Sequence, residues 1–325
     1  MNHPLHASTP AFLMNPPRHV STDVPNNVWM EEMSAAERNI DRDRAYGQFG
    51  ALLRFVSRYA DVHLLPTTAG LQDQVYVANL GIALPHTGDP TLVLANFCSE
   101  PRRGETAAGL RFFEQMSGFN LHVAPAFFEG EADLKHIAGN VYIGARGIRT
   151  SEHALAWFER TFDMEVLRFD MIDPRLYHLD CCVMPLGPHD VAVCVARAST
   201  AFLRALERQA TVHDVDLTAG YGGVCNSVML GEYVLCASNL WDLSKDHRYY
   251  EIERAKVECL NALCGKLARE PAYFDLYEFS KSGAMLSCMM MHLNRRNFDR
   301  AATTVAPRWG PFQMPDPDGA AALIG

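Results

Sequence analysis

The sequence lacks the marks of several common functional classes. Its 325 residues contain no C-x-x-C pair and no H-E-x-x-H spacing, so no redox dithiol and no helix-borne zinc site is encoded locally. A basic surplus is missing too: 29 Lys and Arg stand against 38 Asp and Glu, a formal net charge of -9. Nucleic acids and anionic membranes both reward clustered cations, so neither is expected as a partner. No apolar run is long enough to span a bilayer. The opening residues "MNHPLHASTPAF" have neither the basic start nor the apolar stretch of a signal peptide. The nine cysteines form no regular framework, and their odd number leaves at least one unpaired; a reduced, cytoplasmic setting fits best. What is present, 48% hydrophobic and 21% charged residues, suits a globular protein with a substantial core.

Residues 1–10 and 304–325 are rich in Pro, Gly and Ala and carry no periodicity, which predicts extended or mobile termini around a single domain over 11–303. Ser34 and Glu37 make a capping-box pattern ahead of Tyr46, Phe49, Leu53 and Val56 at helical spacing. Beyond this helix, pairs of short apolar runs precede each further helix and one more run follows it. "QVYVAN", "GIALP" and "TLVLANF" lead to a helix from about Glu105 to Met116 and then "NLHVAP"; "LYHLDCCV" and "DVAVCVA" lead to "STAFLRALERQ" and then "VHDVDL". The pattern of two strands, a helix and a strand recurs about every 60 residues, as expected of small units arranged around an axis. A doubly wound parallel sheet would alternate single strands with helices, and the paired strands argue against it.

Four segments could carry chemistry. In "YHLDCCV", read as a strand, His178, Asp180 and Cys182 share one face, able to hold and protonate a nitrogen-rich cation; a buried His satisfied by a carboxylate is the plainer alternative. "FFEGEADL" ends an apolar run with Glu129, Gly130, Glu131 and Asp133, which suits a guanidinium or amine, or equally a solvated turn. "DQVYVANLG" closes on Asn79, and "CSEPRRGET" carries Arg102 and Arg103, a carboxylate grip or a solvated loop. Finally "EFSKSGAMLSCMMM" sets Cys288 after a Gly-containing loop. A cysteine in apolar company is usually a small hydrophobe, and one at the mouth of a strand can be a nucleophile.

Taken in order, "FLMNPPRHV", "PNNVWM", "QVYVANLG", "FFEGEAD", "YHLDCC", "VCNS" and "EFSKSGAMLSC" resemble the guanidino-group-modifying, or pentein, superfamily. The dimethylargininase-like and arginine dihydrolase/deiminase branch is the most similar. The resemblance spans about residues 12–293 and implies an α+β fold (an α/β propeller) of five ββαβ modules around a pseudo-fivefold axis. It implies Cys288 as nucleophile, His178 as general acid/base and Glu129 as its acidic partner. Asp180 would hold the guanidinium, with Asn79, Asn27, Asp133 and Asn226 also facing substrate. Arg102 (or Arg103) and Arg149 would take an α-carboxylate. Gly283 would let the thiol approach a planar substrate, with the methionines after Cys288 as a core strand behind it. The remaining eight cysteines, Cys259 and Cys264 among them, would be packing residues.

The activity so implied is hydrolysis of a guanidinium C–N bond of arginine or a substituted arginine through a thiouronium-type intermediate, without cofactor or metal. Dimethylarginine hydrolysis, amidino transfer to an amine and a catalytically silent binding module are the alternatives. The partner would be a small guanidino compound, and a homo-oligomer is compatible. Three departures from the usual motifs bear on substrate: Glu131 where relatives carry a small residue, expected to narrow or recharge the pocket; Val28 in place of a common Pro; and few small residues in the loop before Cys288.

Overall fold

A computed structural model of the chain describes residue 4 and residues 7–299. The expected tail at 304–325 lies outside the described residues. Fifteen short strands form five three-stranded sheets. The first sheet joins β1 (Ala11–Met14) to β2 (Asp61–Leu64) and, from the far end of the chain, β15 (Met291–His292). The second holds β3 (Gly81–Leu84), β4 (Thr91–Leu94) and β5 (Asn120–Val123), and the third β6 (Leu134–Ala138), β7 (Val141–Arg146) and β8 (Glu165–Asp170). The fourth holds β9 (Val183–Gly187), β10 (Asp190–Val193) and β11 (Thr211–Asp214), and the fifth β12 (Val228–Leu230), β13 (Tyr233–Ala237) and β14 (Glu270–Phe274). In every sheet the central strand pairs antiparallel with one neighbour and parallel with the other.

Each parallel pair needs a crossover, and one helix supplies it: Arg42–Val56, Arg103–Met116, Glu152–Phe162, Thr200–Leu206 and Tyr250–Leu267. Three are capped by short polar side chains. Asp41 accepts from Arg44 N, Ser151 from Ala154 N and Ser199 from Phe202 N, satisfying amides that the helix itself leaves free. The expected helix start at Ser34 is displaced. Ser34 and Glu37 do bond to each other's backbone amides, but they close a separate turn, and Asp41 opens the helix.

A three-stranded sheet cannot cover both faces of its own core. The apolar side chains accordingly gather in five clusters, each drawing on two units. Leu13 and Met291 pack with Leu92 and Phe113; Ile82 and Val93 with Leu155 and Val166; Ile143 and Phe169 with Val183 and Val193. Leu186 and Ala192 pack with Val234 and Leu263, and Leu230 and Leu235 with Phe12 and Val62. The fifth unit therefore packs on the first as the first does on the second. Burial of these groups at roughly 25 cal/mol per Å² is the main force holding the units together. The methionines after Cys288 belong to this interior: Met289, Met290 and Met291 are buried, although only Met291 lies in a strand. Among the described residues no helix is long and apolar enough to cross a membrane.

Candidate active site

In each sheet the strand that pairs antiparallel with the central strand is entered through a tight turn or loop, and these five approaches bring Asn79, Asp133, Asp180, Asn226 and Cys288 to the site. Val77–Asn79 precedes β3, Gly130–Asp133 precedes β6, Leu179–Cys181 precedes β9, Asn226 lies just before β12, and Ser287–Met289 precedes β15. Two glycines let the approaches crowd together. Gly130 has φ +63, and a Cβ there would sit 2.3 Å from Ala78 O and 2.6 Å from Asn79 C, so only glycine brings the acidic turn against the Asn79 turn. At Gly283 (φ +72) a Cβ would lie 2.7 Å from Asn27 Oδ1. The space it leaves is filled by the Asn27 side chain.

A narrow cleft opens at this meeting point. Its walls include Asp73, Asn79, Arg149, Tyr177, His178 and Cys288. The "YHLDCCV" segment is not a strand. His178 is extended, but Cys181 N bonds to His178 O at 3.1 Å and Cys182 N to Leu179 O at 2.8 Å, which turns the chain after one residue. Asp133 enforces the turn: its Oδ1 accepts from Leu179 N at 3.1 Å and its Oδ2 from Thr150 Oγ1 at 2.7 Å. Asp133 is thus fully buried beneath the cleft rather than lining it. Burial, reinforced by Glu129, pushes its carboxyl up to about 6.

The turn aims His178 at Glu129, with Nε2 2.8 Å from Oε2. Asn79 Nδ2 lies 3.2 Å from the same ring nitrogen. Glu129 is fully buried, and its Oε1 lies 3.5 Å from Arg149 Nη1 and 3.4 Å from Cys98 Sγ. Burial alone would favour its neutral form. The hydrogen bond and charge of His178, with Arg149 and Arg102 beyond, outweigh burial and hold the carboxyl at about 2.

Cys288 is buried in a pocket of polar groups. Asn226 Nδ2 lies 3.3 Å from Sγ and Asp180 Oδ2 3.8 Å from it. Asn226 Oδ1 also accepts from Ser287 N at 2.9 Å, and Asp180 Oδ2 from Ser287 Oγ at 2.8 Å. Asn226 and Asp180 therefore brace the Cys288 turn from behind, and neither lines the cleft. Burial first, and then the Asp180 carboxylate, push the Cys288 thiol up to about 12.

The arginines divide. Arg102 Nε and Nη2 grip Glu105 at 2.9 and 2.8 Å, and Nη2 also donates to Tyr76 O at 3.1 Å. Although it reaches the cleft wall, its fork is already engaged, because Glu105 lies three residues on, in the first turn of the helix that follows Arg102. Arg103 is exposed and does not line the cleft. Arg149 is freer: Nη2 donates to Asn26 O at 2.5 Å, Nη1 is at 3.5 Å from Glu129, and its Cζ lies 5.1 Å from the Tyr177 ring centroid. Asn27 lines the cleft while capping the Val28–Glu31 turn, with Oδ1 accepting from Met30 N and Nδ2 donating to Ser282 O. Glu131 does not enter the cleft and so does not narrow it. Its carboxylate turns away to His292 and Arg295.

Sequence reasoning missed Asp73 and Tyr177. Asp73 lines the cleft, with Oδ2 accepting from Asn26 Nδ2 at 2.7 Å and Gln72 Nε2 at 3.1 Å, and burial raises its carboxyl. An acidic residue six places before Asn79 was the available signal. All nine cysteines are free thiols, and the described residues contain no cluster of His, Cys, Asp and Glu arranged to hold a metal.

Residues 16–233 match the family profile described as N,N dimethylarginine dimethylhydrolase, eukaryotic. The chain is 34% identical over 179 residues to the bifunctional arginine dihydrolase/ornithine cyclodeaminase AgrE of Nostoc sp. (strain PCC 7120), a match covering 54% of this chain and 24% of that relative. It is 29% identical over 194 residues to the N(G),N(G)-dimethylarginine dimethylaminohydrolase of Mycobacterium tuberculosis, covering 59% of this chain and 61% of the other. Among solved structures, the N-terminal domain of an ArgZ variant covalently bound to a reaction intermediate superposes with a TM-score of 0.75 at 23% identity, over 87% of this chain and 97% of that one. The chain thus spans about a quarter of the length of the bifunctional relative and shares the fold of the ArgZ N-terminal domain.

Proposed function

From the premise that this chain belongs to the N,N dimethylarginine dimethylhydrolase, eukaryotic, family, we propose that it is a cysteine-dependent hydrolase of the guanidinium C–N bond in arginine or a substituted arginine. The observation that carries the reading is that Cys288 and His178, the latter paired with the buried Glu129 behind the wall, line one small cleft together with Asp73 and Arg149. The five interlocked core clusters support reading the units as a closed ring about a pseudo-fivefold axis, with residues 11–303 as one catalytic domain.

A guanidinium is resonance-stabilised and resists water, so a stronger nucleophile is needed. At rest Cys288 is a thiol. A bound guanidinium puts a positive charge beside it, which offsets Asp180 and favours the thiolate, while Asn226 Nδ2 donates toward the sulfur. His178 takes the thiol proton as Sγ attacks the guanidino carbon, and the ionised Glu129 holds the imidazolium so formed. The proton then passes to the departing nitrogen, whose C–N bond breaks, leaving a thiouronium on Cys288. The neutral His178 next draws a proton from water, which attacks the same carbon, and the C–S bond breaks to return the thiol.

Asp73 on the cleft wall is the carboxylate that would pair with the cation directly, while Asp180, behind the wall and 3.8 Å from the sulfur, adds its negative charge to the site. Arg149 is the cation placed to take an α-carboxylate, whereas Arg102 serves to fix the wall through Glu105. Asn79 beside His178 suits arginine as substrate, by its likeness to the dihydrolase branch, and dimethylarginine is the second reading, favoured by the family profile. Incubation of the purified chain with L-arginine and, separately, asymmetric dimethylarginine tests both. Ammonia with citrulline or ornithine supports the first, dimethylamine with citrulline supports the second, and no turnover of either by folded protein overturns the reading.

A further inference from the structure

The described residues line a second, narrow cavity that shares no lining residue with the cleft. It lies on the far side of the nucleophile's turn: Cys288 lines the cleft, while Ser287 and Met290 line this space. Its walls carry Lys135, Arg295, His292, Glu131 and Asn297. None of these has a part in the chemistry proposed for Cys288.

The charge here is cationic. Glu131 Oε1 accepts from both the backbone N and Nδ1 of His292 at 2.9 Å, and Oε2 lies 3.4 Å from Arg295 Nη2. One carboxylate therefore faces two permanent cations, Lys135 and Arg295. Burial, with Arg295 and Lys135 adding to it, biases His292 toward its neutral form against the pull of Glu131. One positive charge is left in excess. Beside it stands an acceptor without a donor. Asn297 is 2% exposed and its Nδ2 donates to Met229 O at 3.3 Å, but its Oδ1 is buried with no hydrogen-bond partner. Buried acceptors are nearly always paired, and an unpaired one is unfavourable until a donor arrives.

We propose that this cavity binds a small oxyanion that retains a hydroxyl proton, hydrogen phosphate being the simplest, with Lys135 and Arg295 holding the charge and Asn297 Oδ1 accepting the O–H. Sulfate has nearly the same size and charge but no proton near neutral pH. It would present only lone pairs to Oδ1, and a site with a buried acceptor rejects such a ligand.

The test is calorimetric titration of the full chain, near neutral pH and at matched ionic strength, with sodium phosphate and with sodium sulfate. It is repeated on Lys135→Met and Asn297→Leu. Saturable phosphate binding, about tenfold or more tighter than sulfate, is expected. Lys135→Met should weaken phosphate by about tenfold or more, and Asn297→Leu should erase the preference over sulfate. Equal affinity for the two anions, no saturable phosphate binding, or phosphate binding unchanged in Lys135→Met would overturn the proposal. The last outcome would move the anion to the Arg149 side of the molecule. Should Asn297→Leu fail to fold, because Nδ2 also ties Met229, the Lys135 variant and the sulfate control decide the matter alone.

Discussion

Replacing Asp180 by Asn should change the reactivity of Cys288 in opposite directions toward neutral and cationic reagents. In the resting protein the thiol is pushed up to about 12, with burial the larger cause and Asp180 the next. Near pH 7.5 that leaves far fewer thiolates than the roughly one in ten of an ordinary thiol with a pKa near 8.5. Asp180 Oδ2 is 3.8 Å from Sγ, so at an effective dielectric of about 20 the repulsion of the thiolate is at most about 4 kcal/mol. Asn226 and local relaxation absorb part of it, and a rise of roughly 10- to 100-fold in the rate with iodoacetamide is expected for Asp180→Asn. A cationic reagent such as 2-chloroacetamidine responds with the other sign. In the native protein its charge offsets Asp180 and brings the thiolate with it; without the carboxylate, that attraction is lost and the rate falls. The assay is the pH-resolved rate of Cys288 modification followed by mass spectrometry, each rate divided by that of a free thiol. Equal acceleration of both reagents, or equal loss, would refute the idea that Asp180 acts as a fixed anion beside the nucleophile.

Further expectations rest on other contacts. Glu129→Gln should lower kcat by roughly 10²- to 10⁴-fold with a smaller change in KM, since it removes the anion that holds the imidazolium; steady-state kinetics on the folded variant check it, and an unchanged kcat contradicts it. Gly130→Ala should lose both activity and about 3 kcal/mol or more of stability in urea titrations, because its φ of +63 and the 2.3 Å approach to Ala78 O both exclude a Cβ. Glu131 should leave a signature in the acid range. Burial opposes its ionisation, yet His292 and Arg295 hold it at about 2 against an ordinary 4.5. A depressed carboxyl stabilises the fold fully above the unfolded value, and that contribution disappears as pH falls from about 4.5 toward 2. Glu131→Gln should therefore flatten the pH dependence of stability in that window, and a slope identical to the parent would contradict it.

The alternation of strands and helices was readable because each unit repeats one hydrophobic rhythm, and β3, β4, β5, β10 and β11 fall on the apolar runs; "QVYVAN" does not, because Val77–Asn79 closes into a tight turn ahead of β3. Local rhythm failed where tertiary contacts decide the backbone. "YHLDCCV" has the composition of a strand, but Asp133 captures Leu179 N from 46 residues away and folds it into a turn. That change separates His178, which meets Glu129, from Asp180, which meets Ser287 and Cys288. The same limit applies to the polar residues. The motifs indicated Glu129, His178 and Cys288, and all three converge, although only His178 and Cys288 form the cleft's wall. Nothing local distinguished Arg102, gripped by Glu105 at 2.8 Å one helical turn away, from Arg149, whose contact with Glu129 is a looser 3.5 Å. Glu131 read as part of the acidic turn, yet a single residue's rotation along that turn carries it to His292 in a different cavity.

The decisive experiment is acid quenching of the chain during turnover of L-arginine, followed by peptide mass spectrometry. The proposed chemistry requires an amidino group on the peptide containing Cys288, on no other cysteine, and accumulating to a larger fraction when the hydrolytic half-reaction is slowed. Sustained product release with an unmodified Cys288, or undiminished turnover by Cys288→Ser, would contradict a thiouronium route.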